Sequence, residues 1–220
     1  DAPSCRNVGH YYLLVLIDKD CGNSNNNMQD RIENICNTFI PVTAIVLNMQ
    51  QFTSWVNEGH RFATIVVYRA VMIYDNNKKS FIKPLNDVDP LEPKENTYSN
   101  EANTVNEFIA GAQLYLQRKQ NNMAMFMLHQ ATEQALHLLF KKGTGLHINT
   151  HNLDKLIRYC SMVSYKVEEI FLRNNDKSKK LFIELQNAYI NSRYKEQCSV
   201  SNLDIITILR KIKTLQKELV

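Results

Sequence analysis

At 220 residues the chain is long enough for one large domain or two small ones, and its longest apolar runs fall well short of the ~20 residues of a membrane-spanning helix. Net charge is +4 but unevenly placed: residues 1–100 hold 9 Lys+Arg against 11 Asp+Glu, residues 101–220 hold 17 against 11. A basic second half suits an anionic ligand or nucleic acid, and equally suits ordinary solubility.

Five scattered cysteines (Cys5, Cys21, Cys36, Cys160, Cys198) include no CxxC pair, which argues against a disulfide framework or a zinc ribbon. Free thiols in a reducing compartment are the expectation, so the protein is placed in the cytoplasm. The start, DAPSCRNVGH, has no apolar run of a signal peptide and no initiator Met, so the numbering is expected to begin inside a longer chain.

Tyr11–Ile17 (YYLLVLI) reads as a buried strand. Met28–Phe39 has helical spacing through Met28, Ile32, Ile35, Cys36 and Phe39. After Pro41, Val42–Leu47 reads as a second buried strand, rich in β-branched residues. Asn48 is placed to cap a helix that runs to Glu58 and closes at Gly59. Arg61–Ala70 predicts another helix, leading into a strand at Val71–Tyr74. Strands alternating with helices predict an α/β unit with partly parallel strands.

Residues 76–103 hold Pro84, Pro90 and Pro93, many Asn and no helical period, and read as a linker with one short strand at Ser80–Lys83. The expected domains are therefore 1–75 and 104–220.

From Thr104, a candidate cap, the pattern is helical. Val105, Phe108, Ile109, Ala112 and Leu116 form one face. The central element is Met123–Lys142, with Ala124, Leu128, Ala131, Ala135 and Leu138 at three- and four-residue steps. Met127, Leu139 and Phe140 widen the stripe, Lys141 and Lys142 suit the negative end of the helix dipole, and Gly143 is read as the stop. Beside the apolar stripe runs a polar ridge, His129, Glu133 and His137. A loop over Gly143–Asn152 precedes a helix at Leu153–Val163, one turn around Val167–Leu172, a charged loop, and a helix at Leu181–Tyr194. Ser201 with Asp204 predicts a capped last helix carrying Leu203, Ile206, Leu209, Ile212 and Leu219. Five amphipathic helices joined by short loops make an up-down bundle. The fold class is a two-domain α+β chain, α/β first and all-α second.

Several residue sets suggest chemistry. His147 and His151 have a spacing used in zinc sites, but no third ligand is adjacent, and no metal or other cofactor is expected. His129 and Glu133 fit a charge-assisted pair across one helical turn, or a polar pair satisfying itself against a neighbour. In NAYINSRYK, Arg193 is flanked by Tyr189 and Tyr194 and followed by Lys195. An arginine fork beside aromatic rings suits a phosphate and a stacked base; a C-terminal Arg on a helix dipole suits the same residues. No GxGxxG or GxxxxGK loop is present, and no Ser-His-Asp or Cys-His signature.

LHQATEQALHLLFKK, THNLDKLIRYC and AYINSRYK, in that order, closely resemble the HEPN domain over residues 104–219. The resemblance implies a small helical bundle, often a homodimer, that binds nucleotides or cleaves RNA and is found in toxin–antitoxin pairs with a partner protein. It carries over Arg193 and Tyr194, the His129–Glu133 ridge and His151 as a binding or structural cluster. Active members place a histidine four to six residues after the arginine; here that window holds Cys198, Ser199 and Val200, so the usual acid–base group is missing. HEPN domains often accompany a minimal nucleotidyltransferase domain, and residues 1–75 resemble the later part of one. The Asp-x-Asp that holds magnesium in that family is replaced by His10 and Tyr12, and VTAIVL lacks the third carboxylate, so this half is expected to be non-catalytic. The reading is a nucleotide- or RNA-binding protein; an interaction module or a ribonuclease with a rearranged Arg/His site are the alternatives.

Overall fold

The computed structural model describes residues 10–18, 25–76, 97–194 and 200–219, excluding the side chains of Asn26, Arg193 and Tyr194. The chain divides into two units, residues 1–92 and 93–220.

In the first unit β1 (Tyr11–Ile17) and β2 (Val42–Asn48) pair in parallel, Tyr11 opposite Val42 and Ile17 opposite Asn48. Parallel neighbours need a crossover, and α1 (Asn25–Cys36) supplies it. This helix ends three residues earlier than its apolar period suggests, leaving Phe39 85% exposed. The reason lies in its polar side. Gln29 and Glu33 on α1, with Asn37 just beyond it, accept the backbone N–H groups of Val46, Ala44 and Val42 at 3.1, 3.0 and 2.8 Å. Side chains thus do for this edge of β2 what another strand would do. Asn48 caps α2 (Met49–Asn57) by accepting the N–H of Gln50, and Gly59, at φ 70°, turns the chain into α3 (Arg61–Arg69). The strand expected at Val71–Tyr74 does not form. Its four residues are 64–83% exposed, and the only sheet pairing among the described residues is β1 with β2. The expected strand at Ser80–Lys83 lies outside the described residues.

The second unit is a helical bundle built on α5 (Asn121–Thr144). Packed on it or on its neighbours are α4 (Ser99–Gln117), α6 (Leu153–Ser161), α7 (Lys166–Ile170), α8 (Asp176–Tyr194) and α9 (Asn202–Lys217). These are six helices where five were expected, with the single turn near Val167 formed as α7. The first begins at Ser99, so the last five residues of the expected linker are already helical. Ala124, Leu128, Ala131, Ala135 and Leu138 are all buried, as are Leu153, Leu156, Ile157 and Cys160 on α6. Burial pushes the Cys160 thiol up, and its Sγ donates to the carbonyl of Leu136, so it behaves as a core group rather than a nucleophile.

Two helix boundaries correct the sequence reading. Gly143 does not stop α5; the helix runs on to Thr144 and closes at Gly145, whose φ of 77° is the left-handed conformation that glycine tolerates. Gly143 serves instead as a point of close approach, because a Cβ there would run into the branched side chain of Val163. The α8 helix starts at Asp176, not Leu181: Asn175 Oδ1 accepts the N–H of Ser178, an end-capping bond that turns the expected charged loop into a first turn. On α9 the buried stripe is Ile205, Ile208, Leu209, Ile212 and Leu215, with Leu203 67% exposed. No helix among the described residues is long and apolar enough to cross a membrane.

Candidate functional site

The polar ridge of α5 faces α8 and the loop before α6, all within the helical unit. Glu133 is only 4% exposed and bridges two imidazoles. His151 Nδ1, from the loop, lies 3.0 Å from Glu133 Oε1. His129 Nε2, one turn back along α5, lies 3.3 Å from Oε2, within ion-pair reach but off-axis for a full hydrogen bond. Burial alone would push the Glu133 carboxyl up; the bonds and charges of the two imidazoles outweigh it and hold the group below the ordinary carboxyl range.

Each imidazole has a distinct setting. His129 is 2% exposed, and its Nδ1 donates to the carbonyl of Leu185 on α8 at 3.0 Å. The side chain of His151 is 82% exposed, so a buried carboxylate steers a solvent-facing ring. His137, one turn beyond Glu133, donates Nε2–H to the carbonyl of Thr150 at 3.1 Å and stacks on His147, ring centres 5.7 Å apart. Burial is the main force holding His137 below its ordinary value, with the nearby Glu133 charge pulling the other way. His147 and His151 therefore turn to different partners, and no set of three metal-ligating side chains converges among the described residues.

Tyr189 on α8 completes the near wall. Its ring centre is 6.0 Å from that of His129 and 6.1 Å from that of Phe126, and the residue is 39% exposed. Gln186 Oε1 accepts the N–H of Leu153 at 2.7 Å and ties α8 to the start of α6. Thus His129, Glu133, His151 and Tyr189 form one continuous cluster. Arg193 and Tyr194 close α8 two turns past Leu185, about 12 Å along the helix. Their side chains, and Lys195 altogether, lie outside the described residues. The carbonyls of Leu185 and Thr150, and the His137–His147 stack, went unread in the sequence; a backbone acceptor carries no residue signature, and only the four-residue spacing of the histidines hinted at the rest.

The second unit is thus defined as a compact helical bundle with a histidine–carboxylate cluster between its central helix, α8 and the loop before α6. The HEPN domain model matches residues 103–218, a little over half of the chain, and the protein belongs to that family. No curated protein matches it.

Proposed function

We propose that the helical unit binds a nucleotide or single-stranded RNA at the His129–Glu133–His151 cluster, with Tyr189 as a stacking surface and Arg193, Tyr194 and Lys195 contributing to the same site. The observation that carries this reading is the solvent-facing His151 ring held at 3.0 Å by a buried carboxylate. A positioned imidazole next to a half-exposed tyrosine offers, at its free Nε2, an acceptor for a ribose hydroxyl, and a face for a base. The excess of cations in residues 101–220 favours an anionic ligand. The test is fluorescence anisotropy of a labelled oligouridylate, with AMP as competitor. Tyr189→Ala and Arg193→Ala are each expected to weaken binding about tenfold, in line with ~1–3 kcal/mol per stacked base. Absence of saturable binding, or affinities unchanged in both variants, overturns the reading.

A second reading has its own support. Donation of Nδ1–H to a carboxylate leaves Nε2 of His151 as the basic nitrogen, the arrangement of a general base. This supports a ribonuclease in which His151 replaces the histidine missing after Arg193. Intact RNA after prolonged incubation with wild-type protein removes it. For the first unit the proposal is a non-catalytic nucleotidyltransferase-like domain: His10, standing where that family has its first metal-binding carboxylate, has its Nε2 2.7 Å from the Thr43 hydroxyl on β2. Pairing into a homodimer draws support from Ile183 and Ile190, seven residues apart on α8 and 56% and 57% exposed. A cytoplasmic location belongs to the same proposal; a toxin–antitoxin-type interaction module is the alternative to it.

A further inference from the structure

A cavity of about 180 Å³ lies among α8, α9 and the segment joining α7 to α8. It adjoins the histidine cluster at Leu185, whose carbonyl accepts from His129 while the residue lines the cavity. Its walls are hydrocarbon: Phe171, Leu181, Phe182, Leu185 and Ile208. An apolar cavity of roughly 150 Å³ accepts one benzene ring, so this one has room for a single ring or a branched chain of similar size. Lys211 is among the residues that line it.

The setting of Lys211 is unlike that of its neighbours. Lys177, also on the wall, is paired with Asp204 at 3.0 Å. Arg173 is paired with Asp154 and lies over the Phe182 ring, 4.5 Å from its centre. Lys211 is partly buried, donates to the carbonyl of Ile170, and has no carboxylate partner among the described residues. An ammonium has three donors, and a carbonyl takes one of them. A half-buried cation without a counter-charge is a standing cost, and burial already holds this amine below its usual range. An anion reaching the cavity mouth would relieve that cost while its hydrocarbon part displaces water from the apolar walls.

We propose that this cavity binds a small amphipathic carboxylate, an aromatic or branched aliphatic acid whose hydrocarbon part sits among Phe171, Phe182, Leu185 and Ile208 and whose carboxylate pairs with Lys211. A phosphate-rich ligand is the wrong class, because Lys177 is already paired with Asp204 and Lys211 alone is left to face a mostly hydrocarbon wall. Calorimetric titration of the full chain with 3-phenylpropionate and with 3-phenylpropan-1-ol tests the pairing. The acid is expected to bind saturably and about tenfold more tightly than the alcohol, a difference worth about 1.4 kcal/mol. Lys211→Met and Lys211→Gln, each checked for native helicity by circular dichroism, should bring the acid down to the affinity of the alcohol and leave the alcohol unchanged. Equal affinities for acid and alcohol overturn the proposal. So does an acid that binds both variants as it binds the wild type, or an acid with no saturable binding up to about 10 mM. The oligouridylate titration at the histidine cluster is a separate measurement, so either proposal can fail alone.

Discussion

Glu133 and His137 sit one turn apart on α5 and respond to acid in different pH windows. Both are held below their ordinary values, Glu133 by imidazole partners that outweigh burial and His137 chiefly by burial itself. For a base with a lowered folded value, the unfolded chain takes up its proton first. Stability is therefore lost as pH falls below about 6.5, where free imidazole titrates. For a carboxyl with a lowered folded value, the contribution is full above its ordinary range and fades only as pH falls through the folded value, below about 4.5. Urea midpoints measured between pH 7.5 and 5.5 should therefore decline, and the decline should be shallower in His137→Gln, whose amide can still donate to Thr150. A profile as steep in the variant as in the wild type would remove His137 as a source. At pH 7, Glu133→Gln is expected to cost about 1–3 kcal/mol, because the buried charged acceptor of the His151 ring becomes a neutral one. The i,i+4 pairing of His129 with Glu133 was legible in the sequence, since a helix fixes that geometry. The partnership of His151 was not, because it depends on how the loop after Gly145 folds back over α5.

At the scale of the element, the two glycines at the end of α5 separate conformation from space. Gly145 is needed for its positive φ, and Gly143 for the missing side chain. Gly143→Ala should destabilise the helical unit by about 1–3 kcal/mol, the usual range for overpacking. Val163→Ala alone removes methyl groups and is also expected to destabilise. Together the two changes should cost clearly less than their sum, because the shortened side chain makes room for the added methyl. A double-mutant cycle on urea midpoints checks this, and strict additivity would mean that the two positions do not compete for space. The same pair explains why the end of α5 was misread. A glycine in a helical pattern signals a stop when only local conformation is considered, and its use for packing depends on Val163, twenty residues on. The α1 ladder was hidden for a related reason. Gln29, Glu33 and Asn37 look like the solvent face of an amphipathic helix, yet Glu33 is 5% exposed and holds the N–H of Ala44. Hydrophobic periodicity cannot find a face that is buried because it is polar.

Over the whole molecule, local pattern was most reliable where a segment's partner is local too. β1 came out of its apolar run at both ends, and α2 and α3 followed from Asn48 and Gly59. Val71–Tyr74 has the composition of a strand, but a strand also needs a free edge, and composition is silent about that. The helical unit supplies its own partners. Its core is centred on α5; Lys141 reaches Glu101 at the start of α4 at 3.0 Å, and Lys142 donates to the carbonyl of Leu219 just past α9. A bundle closed in this way, with Tyr159, Phe140, Leu128 and Ile212 each less than 2% exposed or nearly so, has the interior of an independent domain. Residues 93–220 expressed alone are therefore expected to keep the helical circular-dichroism signature, to unfold in one cooperative step, and to bind oligouridylate within about threefold of the full chain, since a threefold change is only ~0.7 kcal/mol. A fragment that unfolds without a cooperative transition would show that the helical unit depends on the first 92 residues for its stability. A fragment that folds but loses the RNA would instead place part of the binding surface in those residues, and the histidine cluster would no longer suffice as the site.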